Sequence, residues 1–314
     1  MQFDSRHLSA LSAILRLGSF EAAAGALNIT QSAVSQRLKA LEEQVGTVLV
    51  LRESPCVGTD AGRRLSAHAE AVALLEDQAS RDLGQDGTST AKGHARLRVA
   101  VNADSLATWF LGALDGLDDT LFDLVIDDES HSAEWLKKGE VLAAVTQSSR
   151  PVQGCDVIPL GSLRYIATAS PKFMKTYFPD GVTPKALKSA PMLQFNEKDG
   201  LQSEWLSTQF GRGITPPSHG MPSSQAFVEA ARRGIGWGMN PAPLVSRLVR
   251  RGILVPLVEE NASFDKPLYW QVSRMMRPVL EPLTKAVKAR ASEVLVGQPV
   301  ADEGAVEDEM RQAG

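Results

Sequence analysis

Cysteine is almost missing: the 314 residues contain two, Cys56 and Cys155, far apart and outside any CxxC pair. This excludes a disulfide framework and a cysteine-built zinc site, and it suits a reducing cytosol. No run approaches the ~18 consecutive apolar residues of a membrane span, so no membrane partner is expected. The opening Met1-Gln2-Phe3-Asp4-Ser5-Arg6-His7 has no cationic start leading into an apolar stretch, and no signal peptide is expected. His7, His68, His94, His131 and His219 never fall in HExxH or HxH spacing, which argues against a metal site. No GxSxG elbow and no P-loop occurs, and no cofactor is expected. Gly234-Ile235-Gly236-Trp237-Gly238 resembles a phosphate loop only superficially. It leaves a helical pattern and enters a strand, the reverse of a dinucleotide fingerprint, and reads as a helix cap and tight turn. Trp109, Trp135, Trp205, Trp237 and Trp270 read as core or cleft wall rather than as platforms for bases.

Excess positive charge is lacking too: 33 Lys+Arg face 37 Asp+Glu, a net charge of −4. Taken alone, that argues against a nucleic-acid partner, but the local pattern outweighs the global sum. The remainder is an ordinary globular composition, 43% apolar and 22% charged. At ~100–200 residues per domain, the length predicts two domains.

Three zones follow along the chain. Residues 1–58 read as short helices, with stripes Leu8/Leu11/Leu15, Ala23/Leu27 and Val34/Leu38/Leu41 at helical spacing. Residues 59–94 read as a linker helix and hinge: a long helical pattern over 59–88, striped by Leu65, Ala69, Val72, Leu75 and Ala79, running into a Gly/Ser/Thr-rich hinge at 84–90. That helix has no globular neighbour in sequence, so a second copy of itself is its expected partner, as a homodimer or homotetramer. From Ala95 the texture alternates between strands and helices. Strands are expected around 97–101, 122–126, 141–145, 192–195, 235–239 and 268–273. Helices are expected from Ser105 to about Leu117 and over 131–138, 200–210, 224–233 and 278–296. Such alternation predicts an α/β fold with parallel sheets, and its length predicts two lobes, about 95–166 with 268–296 and about 167–267. Residues 297–314 read as a disordered acidic tail.

The segment from Ser19 to Leu38 carries the most information. A short alanine-rich helix gives way to a three-residue break and a second helix, for which Thr30 is the expected N-cap. Small residues let the second helix cross the first closely. On the second helix Val34, Leu38 and Leu41 make the buried face, while Ser32, Ser35, Gln36 and Lys39 share the opposite one. An ordinary solvated face would be rich in Glu and Lys. This one carries hydrogen-bonding side chains sized for base edges and phosphates in a major groove. Residues 1–58 hold five Lys+Arg and five Asp+Glu. Binding to double-stranded DNA would therefore rest on a few well-placed cations and helix N-termini, doubled by dimerisation.

These residues resemble the DNA-binding helices of LysR-type transcriptional regulators, in which T-Q-S-A-V-S-Q-R-(I/L)-K-x-L-E is a familiar form. Leu49-Val50-Leu51-Arg52 and Thr59-Asp60-Ala61-Gly62 resemble that family's wing and the start of its linker helix. The stretches 99–110, 52–56 and 177–183 resemble the branch that regulates lysine and arginine export. The resemblance runs from about residue 4 to 295. It implies a winged helix-turn-helix domain, a linker helix and a two-lobed, periplasmic-binding-protein-like effector domain with Rossmann-like lobes. It further implies a cytoplasmic activator with a basic amino acid as effector, an exporter gene as target and RNA polymerase as a possible partner. The DNA-facing residues implied are Thr30, Gln31, Ser32, Ser35, Gln36, Arg37, Lys39 and, at the wing, Arg52.

In an open parallel sheet, ligands sit beyond the carboxyl ends of strands, often at helix N-termini. The loops that qualify hold Asn102, Asp104 and Ser105; Asp127, Asp128 and Glu129; Thr146; and Ser223 and Ser224. Their acidity suits a cationic effector, because a desolvated, unpaired charge is costly. Alternation along a strand places Asp127 and Glu129 on one side. Only one set of these acids can then face the cleft, and the resemblance implies Glu129, with Asp127 or Asp128 beside it, as the partner of the effector's cation, with Ser105 and its helix start meeting the carboxylate. Asp and Ser at strand ends are also ordinary helix caps. The competing reading is a two-lobed small-molecule-binding protein or enzyme whose N-terminal helices serve protein interaction alone.

Overall fold

The computed structural model describes residues 2–83, 95–127 and 132–297. The expected hinge at 84–90 and the acidic tail beyond Gly297 lie outside the described residues.

The first unit is a tri-helical bundle with a two-stranded wing. Helix α1 (Ser5–Leu17) starts at Asp4, whose carboxylate accepts from the Arg6 amide, and ends at Gly18 with φ 72°. Helix α2 (Phe20–Leu27) is capped by Ser19, and its Ala23 and Ala24 are buried where helix α3 (Gln31–Val45) crosses it. Thr30 is the N-cap of α3, accepting from the Ala33 amide at 3.2 Å. Val34, Leu38 and Leu41 of α3 join Leu8, Leu11 and Ile14 of α1 in one apolar core. Strands β1 (Val50–Leu51) and β2 (Val57–Gly58) form the wing as an antiparallel pair. Helix α4 (Asp60–Asp82) follows, its first turn tied to the wing by Thr59, which accepts from the Gly62 amide and donates to the Val48 carbonyl.

The expectation that α4 lacks a partner within its own chain is overturned. Leu65 and Ala69 pack into the core of the first unit against α1, while Ala71, Leu74 and Leu75 belong to the core of the second. Leu65, Ala69 and Leu75 of the expected stripe are taken up by these two cores, while Val72 is half-buried and Ala79 exposed, outside both.

The second unit opens with β3 (Ala95–Asn102), α5 (Ala103–Thr108), a single 3-10 turn at Phe110–Ala113, β4 (Thr120–Asp127), α6 (Ser132–Lys138) and β5 (Ala143–Thr146). The helix expected from Ser105 to Leu117 breaks at Trp109, which is fully buried and non-helical. Then come β6 (Cys155–Ala169), α7 (Pro171–Tyr177), α8 (Pro184–Leu187), β7 (Met192–Gln194), α9 (Leu201–Phe210), β8 (Ser218–Gly220) and α10 (Ser224–Arg233). The chain closes with β9 (Gly238–Pro241), α11 (Ala242–Arg250), β10 (Val255–Pro256), β11 (Ser263–Ser273) and α12 (Arg277–Val294). Among the described strands the main sheet runs β10-β6-β11-β5-β3-β4, with β9 also on β6.

The sheet is mixed, which corrects the all-parallel expectation. Strands β4 and β5 flank β3 in parallel, but β11 is antiparallel to both β5 and β6, and β9 and β10 are antiparallel to β6. The long pair β6–β11 carries the chain between two lobes. One holds β3, β4 and β5 with α5, α6 and α12. The other holds β7 to β10 with α7 to α11. Strand β6 hides from pattern reading because Gly161 (φ 117°) and Pro159 interrupt its alternation, opposite a register shift at Leu268/Tyr269.

Candidate functional site

Two surfaces concentrate the chemistry. On α3, Gln31, Ser32, Gln36 and Lys39 are exposed, as is the capping Thr30, while Ser35 and Arg37 are half-buried. The first-turn amides of a helix have no intrahelical acceptor. Thr30 takes that of Ala33, and those of Gln31 and Ser32 lie in the exposed first turn. Lys39 lies 3.7 Å from Glu43, a contact between exposed groups that is worth little and easily exchanged. Arg52, just past β1, holds its guanidinium 5.0 Å from the centroid of the Phe20 ring. This fixes the wing's cation relative to the start of α2.

The second surface is a cleft of ≈140 Å³ between the lobes, walled by Asn102, Asp104, Gln147, Tyr165, Asp199, Gln202, Ser224 and Lys266 and floored by Phe195, Phe227, Met239 and Pro241. At its centre stands Asp104. Ser224 Oγ donates to its Oδ1 at 2.6 Å and the Tyr165 hydroxyl to its Oδ2 at 2.8 Å. Burial pushes the Asp104 pKa up, the two hydroxyl donors pull against that, and the like charge of Asp199 adds to the rise. No Lys or Arg pairs with Asp104 among the described residues. Asp199 itself accepts from the Phe195 amide at 2.8 Å and the Leu201 amide at 3.1 Å, so it shapes the turn into α9. Lys266 is held by Glu204, Nζ to Oε2 at 2.5 Å.

Of the residues named from sequence, the cleft brings together Asn102, Asp104 and Ser224. Asn102 also caps α5, accepting from the Ser105 amide at 2.7 Å. Ser105 does not line the cavity. It is fully buried, and its Oγ has no partner. Thr146 is likewise buried beneath the cleft, where it accepts from Gln271. Ser223 is an exposed cap, accepting from the Ala226 amide, while its neighbour Ser224 turns inward. Strand β4 carries Asp127 beside Asn102 in parallel register. Asp128 and Glu129 lie outside the described residues. Tyr165, Asp199 and Gln202 were not anticipated. Asn196-Glu197-Lys198-Asp199-Gly200 joins a strand end to a helix start, and the rule applied to the first lobe would have found it.

With this geometry in view, the comparisons with known proteins agree at both ends. Residues 5–63 match the bacterial regulatory helix-turn-helix protein, lysR family, and residues 91–292 match the LysR substrate binding domain. The chain belongs to the LysR family and is a LysR-type transcriptional regulator. It is 45% identical over 297 residues to the HTH-type transcriptional regulator LysG of Mycobacterium tuberculosis, spanning 95% of this chain and 96% of that one. To ArgP of Pseudomonas aeruginosa it is 40% identical over 300 residues, spanning 94% and 98%. The crystal structure of ArgP from Mycobacterium tuberculosis superposes with a TM-score of 0.79 at 45% identity over 95% of this chain and all (100%) of that one. Full-length LysG from Corynebacterium glutamicum with bound effector Arg gives 0.68 at 36% identity, covering 94% and 100%. These relatives are regulators, not enzymes, and the competing enzyme reading is set aside. Among the described residues no helix is long and apolar enough to cross a membrane.

Proposed function

We propose that this regulator senses a basic amino acid, lysine or arginine, in the cleft between its lobes and controls transcription of an amino-acid exporter gene. The observation that carries the reading is Asp104, a carboxylate pushed into the cleft wall with two neutral donors and no cationic partner among the described residues. A cation entering the cleft recovers the solvation that this group has lost. The aliphatic stem of a basic amino acid fits the apolar floor of Phe195, Phe227 and Met239. The relative crystallised with bound Arg supports the same ligand class. The side-chain cation is assigned to Glu129, with Asp127 or Asp128 beside it. In support, the parallel register brings the end of β4 alongside Asn102 at the cleft.

At the DNA, Ser32, Ser35, Gln36 and Lys39 face the major groove, Thr30, Gln31 and Arg37 meet phosphates, and Arg52 reaches from the wing. The protein works in the cytoplasm as a homodimer or homotetramer, and RNA polymerase is its partner in activation. A gel-shift on the DNA upstream of a neighbouring exporter gene, with and without lysine or arginine, tests the reading. Specific binding altered by either ligand is expected. Binding indifferent to both, with no heat on calorimetric titration of either, overturns the effector class.

A further inference from the structure

Gln202, in the first turn of α9, is 1% exposed and lines the cleft, and its Oε1 has no hydrogen-bond partner. A buried carbonyl oxygen left without a donor is uncommon and calls for an explanation. Two carboxylates line the same cavity. Asp104 reaches it from α5 and Asp199 from the loop before α9. Each oxygen of Asp104 already takes one donor, and so does each oxygen of Asp199. A carboxylate oxygen has about two lone-pair sites, so each acid retains acceptor capacity but neither presents a free pair of oxygens.

That distribution discriminates between cations. A guanidinium binds best as a fork on two free oxygens of one carboxylate. An ammonium has three N–H donors that diverge, and it suits single acceptors supplied by separate elements. Lysine and arginine share one ammonium, the α-ammonium. We propose that Asp104, Asp199 and Gln202 together form a three-acceptor pocket for the α-ammonium of the effector. This assignment rests on the basic-amino-acid reading above. It orients the ligand, with the backbone end against α5 and α9 and the side-chain cation elsewhere in the cleft. It also makes Gln202, a neutral residue, a determinant of ligand recognition.

The test is calorimetric titration of the full-length protein with arginine and with des-amino arginine, in which hydrogen replaces the α-ammonium. Wild type is expected to bind arginine roughly ten- to a hundredfold more tightly than the des-amino ligand. Asp104→Asn should remove most of that gap by weakening arginine while leaving the des-amino ligand where it was. Gln202→Met, which keeps the volume and removes the acceptor, should narrow the gap by roughly three- to tenfold. It carries the same test if Asp104→Asn fails to fold. A variant that weakens both ligands equally shows a merely structural role and overturns the assignment. So does a wild type indifferent to the α-ammonium. If wild type binds neither lysine nor arginine, the effector reading itself falls. If it binds both and the gap survives both substitutions, only the pocket falls.

Discussion

Ser224 Oγ lies 2.6 Å from Asp104 Oδ1, so the first residue of α10 in one lobe is hydrogen-bonded to the first turn of α5 in the other. The bond is a direct polar tie across the cleft, and it ends on a carboxylate whose pKa burial raises. Ser224→Ala removes a donor from Asp104, a bond that typically contributes ~1.5–3 kcal/mol where the carboxylate is ionised. Urea unfolding above the Asp104 pKa should show a loss of that order. The loss should shrink in acid, where Asp104 is protonated. Equal stability of variant and wild type across the pH range would mean the tie contributes nothing.

Effector affinity should depend on pH with a definite sign. The folded-state pKa of Asp104 lies above its unfolded value, so between the two the native state holds the extra proton. Stability contributed by this group therefore falls as pH rises through that window. A cationic ligand selects the ionised form. Its affinity should be flat above the Asp104 pKa and fall by up to about tenfold per pH unit once the pH drops below it. The fall should begin above the ordinary carboxylate range. Calorimetry across a pH series measures it, and an affinity that rises on acidification contradicts the role of Asp104.

On α3, exposed Gln36 and Lys39 should behave differently. Gln36→Ala should cost ~1–3 kcal/mol and relax preference at one base position. Lys39→Ala should weaken binding to all sequences and make its salt dependence shallower. Fluorescence anisotropy with specific and scrambled duplexes at several salt concentrations separates the two. If both variants bind the specific site like wild type, the docking face is wrong.

Gly62 sits where α4 passes the wing, and a Cβ there would collide with the backbone carbonyl of Leu49. Backbone cannot yield as a side chain does. Gly62→Ala should destabilise the first unit by ~1–3 kcal/mol or more. Specific DNA binding should weaken while calorimetric affinity for the effector stays unchanged. A variant with wild-type DNA affinity and thermal stability would show that the wing can shift at little cost.

The helix-turn-helix was legible because everything that defines it is local: small residues at Ala23 and Ala24, a capping Thr30, and one polar and one apolar face on α3. The second unit was legible as alternation but not as topology. Strand–helix alternation does not say which way β11 runs, and its pairing with β6 joins residues about a hundred positions apart. The partners of α4 were hidden for a similar reason. Leu65 and Leu74 look alike in sequence, yet one meets α1 and the other the core shared with α12. At the cleft, Asp104 was found because it follows a strand, and Ser105 was misplaced by one position of helical rotation. Tyr165 lay in the interrupted strand β6. Gln202 carries no charge and forms no motif, and only its enclosure and its unpartnered oxygen distinguish it.

The crease in the β6–β11 ribbon has a mechanical consequence. Gly161 and the register shift at Leu268/Tyr269 interrupt the ladder at one level, and the chain after α12 lies across that level through the Ser162–Val296 bridge. Above and below it, continuous backbone hydrogen bonds make sliding or shear of one lobe past the other expensive, since every bond in the ladder would stretch together. Bending at the crease disturbs few of them. Rotation about the crease is therefore the cheapest relative motion of the lobes, and it would act on the cleft that the Asp104–Ser224 bond spans.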